Sequence, residues 1–144
     1  MMFTFGRVKE VEVAIRRHGG PEKAAMVVDI VSAVHDFIEN KADLSDVELT
    51  IKAALIEGRR DVWDAAGTWL LKLQKDYPAV EHVWFELVKD PKAEVRYRVA
   101  SHIIDLPVGA REKIYELLKD DPSKRVREHV EGKWSFAQHP EKYG

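Results

Sequence analysis

Cysteine is absent from the 144 residues, which excludes a disulfide framework, a thiolate nucleophile and any zinc site built on sulfur. A surplus of basic charge is missing too: 23 Lys and Arg stand against 25 Asp and Glu, for a formal charge of −2. A domain dedicated to nucleic acid needs such a surplus to follow a phosphate backbone, so nucleic acid is not the expected partner. No run of eighteen apolar residues occurs, and the opening MMFTFGRVKEVEVAIRRHGG is too charged for a secretory leader. No membrane partner is expected, and the expected location is the cytoplasm. A glycine-rich phosphate loop and a nucleophile elbow are also lacking, because Gly19-Gly20 reads as a helix break. No enzyme activity, cofactor or metal is expected.

What is present is helical periodicity, cut at intervals by Gly, Pro and Asp. Apolar residues recur every three to four positions in eight segments: 4–17, 21–40, about 47–57, 60–75, 79–89, 92–105, 108–119 and 123–137. The valines of the second segment (Val27, Val28, Val31, Val34) favour strands by propensity, but their spacing is helical. Ser45-Asp46-Val47-Glu48 matches a capping box at the third start. No segment alternates over two residues. The fold class is all-α, in one domain over residues 1–144.

Helices this short cannot each bury an apolar face alone, which raises the question of repetition. A shift of 31 residues lays Leu87, Asp90, Pro91, Val95, Arg96 and Val99 onto Leu118, Asp121, Pro122, Val126, Arg127 and Val130. A shift of 33 the other way lays Val95, Val99 and Ile103 onto Val62, Ala66 and Leu70. Two helices per unit, with a period just above thirty, describe an α-solenoid. The shifts also predict a buried stripe of Val62, Leu70, Leu87, Val95, Val99, Ile103, Leu118, Val126 and Val130. Phe85 aligns with Lys52 and Glu116, so it is expected to face outward.

The stretches LVKDPKAEVR (87–96) and LLKDDPSKRVR (117–127) resemble HEAT repeats, whose mark is an Asp-Pro turn followed by Val-Arg at the start of the second helix. The resemblance is best over 47–137, while 1–44 is expected to form an N-terminal helical hairpin. Trp63 stands at the motif arginine of the earlier copy, and Gly58 at its proline. The resemblance implies a right-handed α-α superhelix, a HEAT-like solenoid of about four hairpins. It leaves function open.

Within that frame, Asp90, Arg96, Asp121 and Arg127 are expected to form a structural ladder of turn carboxylates and arginine forks. The stripe beside the buried one on the second helices reads Ala65/Arg98/His129, Trp69/His102/Lys133 and Lys72/Asp105/Phe136. In a solenoid this stripe lines the concave surface where partners dock. Trp69, Arg98, His102, His129 and Lys133 are therefore the candidate contact residues, with Trp69 equally readable as core. The histidines lack the ordered His-Glu pairs of HEAT-like metal hydroxylases, so no metal site is expected. The expected function is a protein-binding scaffold or adaptor, including a dedicated inhibitor of the immunity-protein kind. The alternative is a DNA-binding or DNA-repair protein. The expected state is a monomer, or a dimer through the N-terminal hairpin.

Overall fold

A computed structural model describes residues 6–139. Among them are eight α-helices, two short 3-10 turns and no strand: α1 (Arg7–Arg17), α2 (Pro21–Ile38), α3 (Leu44–Glu57), α4 (Arg60–Asp76), α5 (His82–Leu87), α6 (Ala93–Ser101), α7 (Val108–Leu118) and α8 (Lys124–Gln138). Thr4 and Phe5, the expected start of the first helix, lie outside the described residues, as does most of the tail. The chain divides into two compact units, 1–80 and 81–144.

In the first unit α1 packs on α2, α2 on α3 and α3 on α4, and α2 also meets α4. Val27, Ile30, Val31 and Val34 of α2 are buried with Val47, Ile51 and Leu55 of α3 and Leu70 and Leu73 of α4. Each such side chain stabilises the fold by about 1.5–3 kcal/mol through the area it removes from water. The valine-rich second segment is helical because this burial, at three- and four-residue spacing, outweighs a propensity difference of a few tenths of a kcal/mol per residue.

Two turns set the geometry of this unit. Gly19 (φ 82°) and Gly20 (φ 121°) both adopt left-handed backbone. Gly20 donates its N–H to the Ile15 carbonyl at 2.9 Å, which closes α1, and Pro21 opens α2 one residue later. Gly58 has ordinary dihedrals but no room: a Cβ there would stand 2.4 Å from the Ala54 carbonyl oxygen and 2.7 Å from Val62 Cγ1. The start of α3 corrects the expected capping box by two residues. The box pairs Asp43 with Asp46, whose carboxylate accepts the Asp43 N–H at 2.9 Å, and the helix begins at Leu44 rather than near Val47.

In the second unit α6 packs against α5, α7 and α8, and α7 against α8. The expected fifth segment splits into a 3-10 turn over Pro78–Glu81 followed by α5. The sixth splits likewise, with α6 ending at Ser101 and a 3-10 turn over Ile103–Asp105 before Leu106-Pro107. A residue before proline avoids the helical region, and the tightened turn leads the chain out. All nine stripe residues from Val62 to Val130 are at most 3% exposed. Phe85 is half-buried rather than outward.

The turns of this unit are tied by arginine. Arg96 grips Asp121 through Nε (2.7 Å) and Nη2 (3.1 Å), while its Nη1 donates to the Asp90 and Pro91 carbonyls at 2.8 and 3.1 Å. Arg127 repeats the second half of that arrangement, donating to the Asp121 and Pro122 carbonyls at 2.7 and 3.1 Å. The Asp90 and Asp121 carboxylates accept the N–H groups two residues on, from Lys92 and Ser123. Burial alone would push the Asp121 carboxyl up. The Arg96 fork, the Ser123 amide and the charges of Arg96 and Arg127 outweigh it and hold the group below its ordinary value.

Candidate binding clefts on the last helix of each unit

In the first unit a cleft of about 310 Å³ opens between α1 and α4, above Val27 and Val31 of α2. Helix α4 lines it with Asp61, Asp64, Ala65, Thr68, Trp69 and Lys72, a continuous stripe at spacings of three and four. Helix α1 contributes Glu10, Val13, Ala14 and Arg17 on the same rule, and its C-cap His18 completes the wall. Lys72 Nζ lies 5.4 Å from the centre of the Trp69 ring, close enough for a cation–π contact.

One end of this cleft is held by a hydrogen-bonded cluster. His18, its side chain 4% exposed, places Nδ1 2.8 Å from Asp61 Oδ2. Arg59 donates from Nε to Asp61 Oδ1 at 2.7 Å and from Nη2 to Oδ2 at 3.1 Å and to the His18 carbonyl at 2.8 Å. The hydrogen bond from His18 does most to lower the Asp61 pKa; burial opposes it and Arg59 adds to it. An ionised carboxylate only accepts, so the proton of the pair sits on His18 Nδ1. The cluster joins the end of α1 to the start of α4.

In the second unit a cleft of about 350 Å³ is lined by Ile104 and by Glu128, His129, Gly132, Lys133 and Phe136 of α8. A Cβ on Gly132 would meet nothing within 4 Å, so the cleft is open at its middle. Phe136 is 39% exposed. His129 stacks on Tyr97 at 3.9 Å between ring centres, and its Nε2 is 2.7 Å from Ser101 Oγ. Arg125 covers Tyr97 at 4.1 Å. On another side of α8, Trp134 stacks on Tyr115, whose hydroxyl donates to Glu131 at 2.6 Å. That bond, with burial second, pushes the Tyr115 pKa up to about 12.

Of the five candidate contact residues, Trp69 lines the first cleft, and His129 and Lys133 line the second. Arg98 lines neither; its side chain is 14% exposed and lies 4.0 Å from Glu94. His102 is a correction, since it is only 4% exposed. Helix α6 ends one residue before it, and the turn that follows carries the ring inward against Trp84, 5.5 Å away, with Nδ1 donating to the Arg98 carbonyl at 3.0 Å. The residues that sequence reasoning missed are Glu10, Arg17, His18, Arg59 and Asp61. Their only signal was the spacing of Glu10, Ala14, Arg17 and His18 on one face of the first helix.

Among the described residues no group of three or more His, Asp or Glu could hold a metal ion, and no helix is long and apolar enough to cross a membrane. No protein-family model, no curated protein and no solved structure matches this chain.

Proposed function

We propose that this chain is a HEAT-like helical-repeat protein that binds other proteins through the outward stripe of the second helix of its hairpins. One observation carries the reading. The five α8 residues of the second cleft, Glu128, His129, Gly132, Lys133 and Phe136, stand 64 residues after five α4 residues of the first, Asp64, Ala65, Thr68, Trp69 and Lys72. That offset is the sum of the two repeat shifts, so the same helical face is hollowed in both units while its side chains differ. A conserved hollow with varied lining is how repeat proteins present a binding surface that can be tuned to a partner. Trp69 and Phe136 supply the aromatic area that anchors protein contacts, and charged residues rim both clefts.

Affinity capture by the full chain, wild type beside Trp69→Ala and Lys133→Glu, tests it. A partner retained by the wild type and lost with either variant is the expected result. Duplex and single-stranded DNA titrated at two salt concentrations forms the counter-test, because phosphate binding weakens steeply with salt. Tight, salt-sensitive DNA binding overturns the reading.

A further inference from the structure

We infer that the side of α8 turned away from its cleft binds an aspartate-bearing turn of a partner protein, with Arg127 as the carboxylate receptor. The inference goes beyond the cleft reading. Arg127, Glu131 and Trp134 share one face of α8 at spacings of four and three, and His129, Lys133 and Phe136 of the cleft share another.

The two motif arginines are set alike and finished differently. Each lays Nη1 on the two carbonyls of its own turn: Arg96 on Asp90 and Pro91 at 2.8 and 3.1 Å, Arg127 on Asp121 and Pro122 at 2.7 and 3.1 Å. Those bonds fix the planar guanidinium against the turn, so the Nε–Nη2 edge leaves both turns in the same direction. On Arg96 that edge closes on the Asp121 carboxylate at 2.7 and 3.1 Å. On Arg127 no carboxylate among the described residues takes it. The Arg127 side chain is half-buried, and its fork is held before any ligand arrives, so little rotamer freedom is lost on binding.

Asp121 shows which carboxylate suits such an edge. It opens an Asp-Pro turn, and one of its oxygens also accepts the Ser123 N–H at 2.9 Å, which fixes the group's orientation. The surroundings of Arg127 fit a protein ligand. Tyr115, Glu131 and Trp134 stand 31 residues after Trp84, Ala100 and Ile103, all three fully buried. In the last copy Tyr115 and Trp134 are half-buried and stack on each other at 4.3 Å, while Glu131 is exposed. Area that one copy buries is therefore open in the next, and it is offered as Trp, Tyr and Arg, the side chains that dominate protein contacts. Glu131 sets a limit. It lies one turn from Arg127 and accepts the Tyr115 hydroxyl at 2.6 Å. A second acid on the ligand would meet its like charge, so the face takes a single carboxylate with apolar neighbours and disfavours an acidic run.

The probe is a displayed library of short disulfide-closed loops with a fixed Asp-Pro and randomised flanks, selected on the full chain. Enriched loops are expected to carry apolar or aromatic flanks. They should lose about tenfold or more in affinity when the aspartate becomes asparagine, since the charge-assisted pair of bonds is then gone. Arg127→Gln should cause a comparable loss, and Arg127→Lys should not restore binding, because an ammonium cannot make two parallel bonds. The loop substitution leaves the protein untouched, so the result does not depend on how the Arg127 variants fold. Equal binding of aspartate and asparagine loops, or enrichment of no loop, overturns the inference. A preference for runs of acids overturns it as well, since bulk charge would then be the cause. Self-association of the wild-type chain that Arg127→Gln abolishes would assign the edge to a second copy and overturn the partner.

Discussion

The two units brace the turns between their helices with different chemistry. The second uses the repeat motif itself: Arg96 spans from its own Asp90-Pro91 turn to the carboxylate of the next, with side chains 14% and 4% exposed at the two ends of the pair. The first has Trp63 where that arginine would stand and Gly58 where the proline would. Its substitute is Arg59, one residue after the glycine, which reaches Asp61 and the His18 carbonyl with its own side chain and that of Asp61 close to half exposed. A motif turn can thus be replaced by a glycine tight enough to bring the helices together and a local arginine that ties the loop. The difference lies in solvent: one pair is desolvated and depends on its partner, the other is shared with water.

The largest expected effect follows from that. Arg96→Ala strands the Asp121 carboxylate in the second unit, and removing one partner of a buried pair costs about 3–5 kcal/mol. Urea denaturation measures it; a loss below 1 kcal/mol would mean that water replaces the arginine and would erase the contrast. Next comes Gly58→Ala in the first unit. The added methyl meets backbone at Ala54, which yields less readily than a side chain, and overpacking of this kind costs about 1–3 kcal/mol. Alanine tolerated there without loss would show that the tight turn is not what compensates for the missing proline.

Acidity separates the units further. Burial, with Arg7 adding to it, holds the His35 pKa below its ordinary 6.5. The folded chain therefore binds fewer protons than the unfolded chain below that pH, and the stability linked to His35 is present above 6.5 and lost as pH falls toward the lower folded value. Asp61 and Asp121 are lowered from 3.8. Their contributions persist above that value and fade only as pH drops through the folded pKa of each. Denaturation at pH 7.5 and 5.5 should show a loss that His35→Gln removes; an unchanged slope in the variant would assign it elsewhere. The smallest effect is expected for Arg59→Ala. An exposed pair contributes about 0.2–1 kcal/mol, so thermal unfolding should shift by only a few degrees. A loss comparable to that of Arg96→Ala would place both braces in one class.

The fold was legible wherever one residue's neighbours along the chain decide its state. Helical spacing overrode valine propensity in α2, and the repeat shifts found nine core residues without a structure, since a repeated packing environment demands the same side chain at the same phase. The Asp43–Asp46 box was misread because Ser45 and Glu48 offer an equivalent pattern two residues later. His102 was misread because a repeat shift assumes an unbroken helix, and α6 ends before it.

The candidate site divides in the same way. Its α4 and α8 stripes were set by the sequence alone, because positions on one face of one helix follow from 3.6 residues per turn. The clefts themselves were decided by tertiary structure. Glu10 and Arg17 are ordinary surface charges until α1 and α4 line one cleft, and His18 and Asp61 lie 43 residues apart in the chain. Helical periodicity records which residues share a side of one element. It carries no information about which other element that side will face, and that pairing comes only from packing.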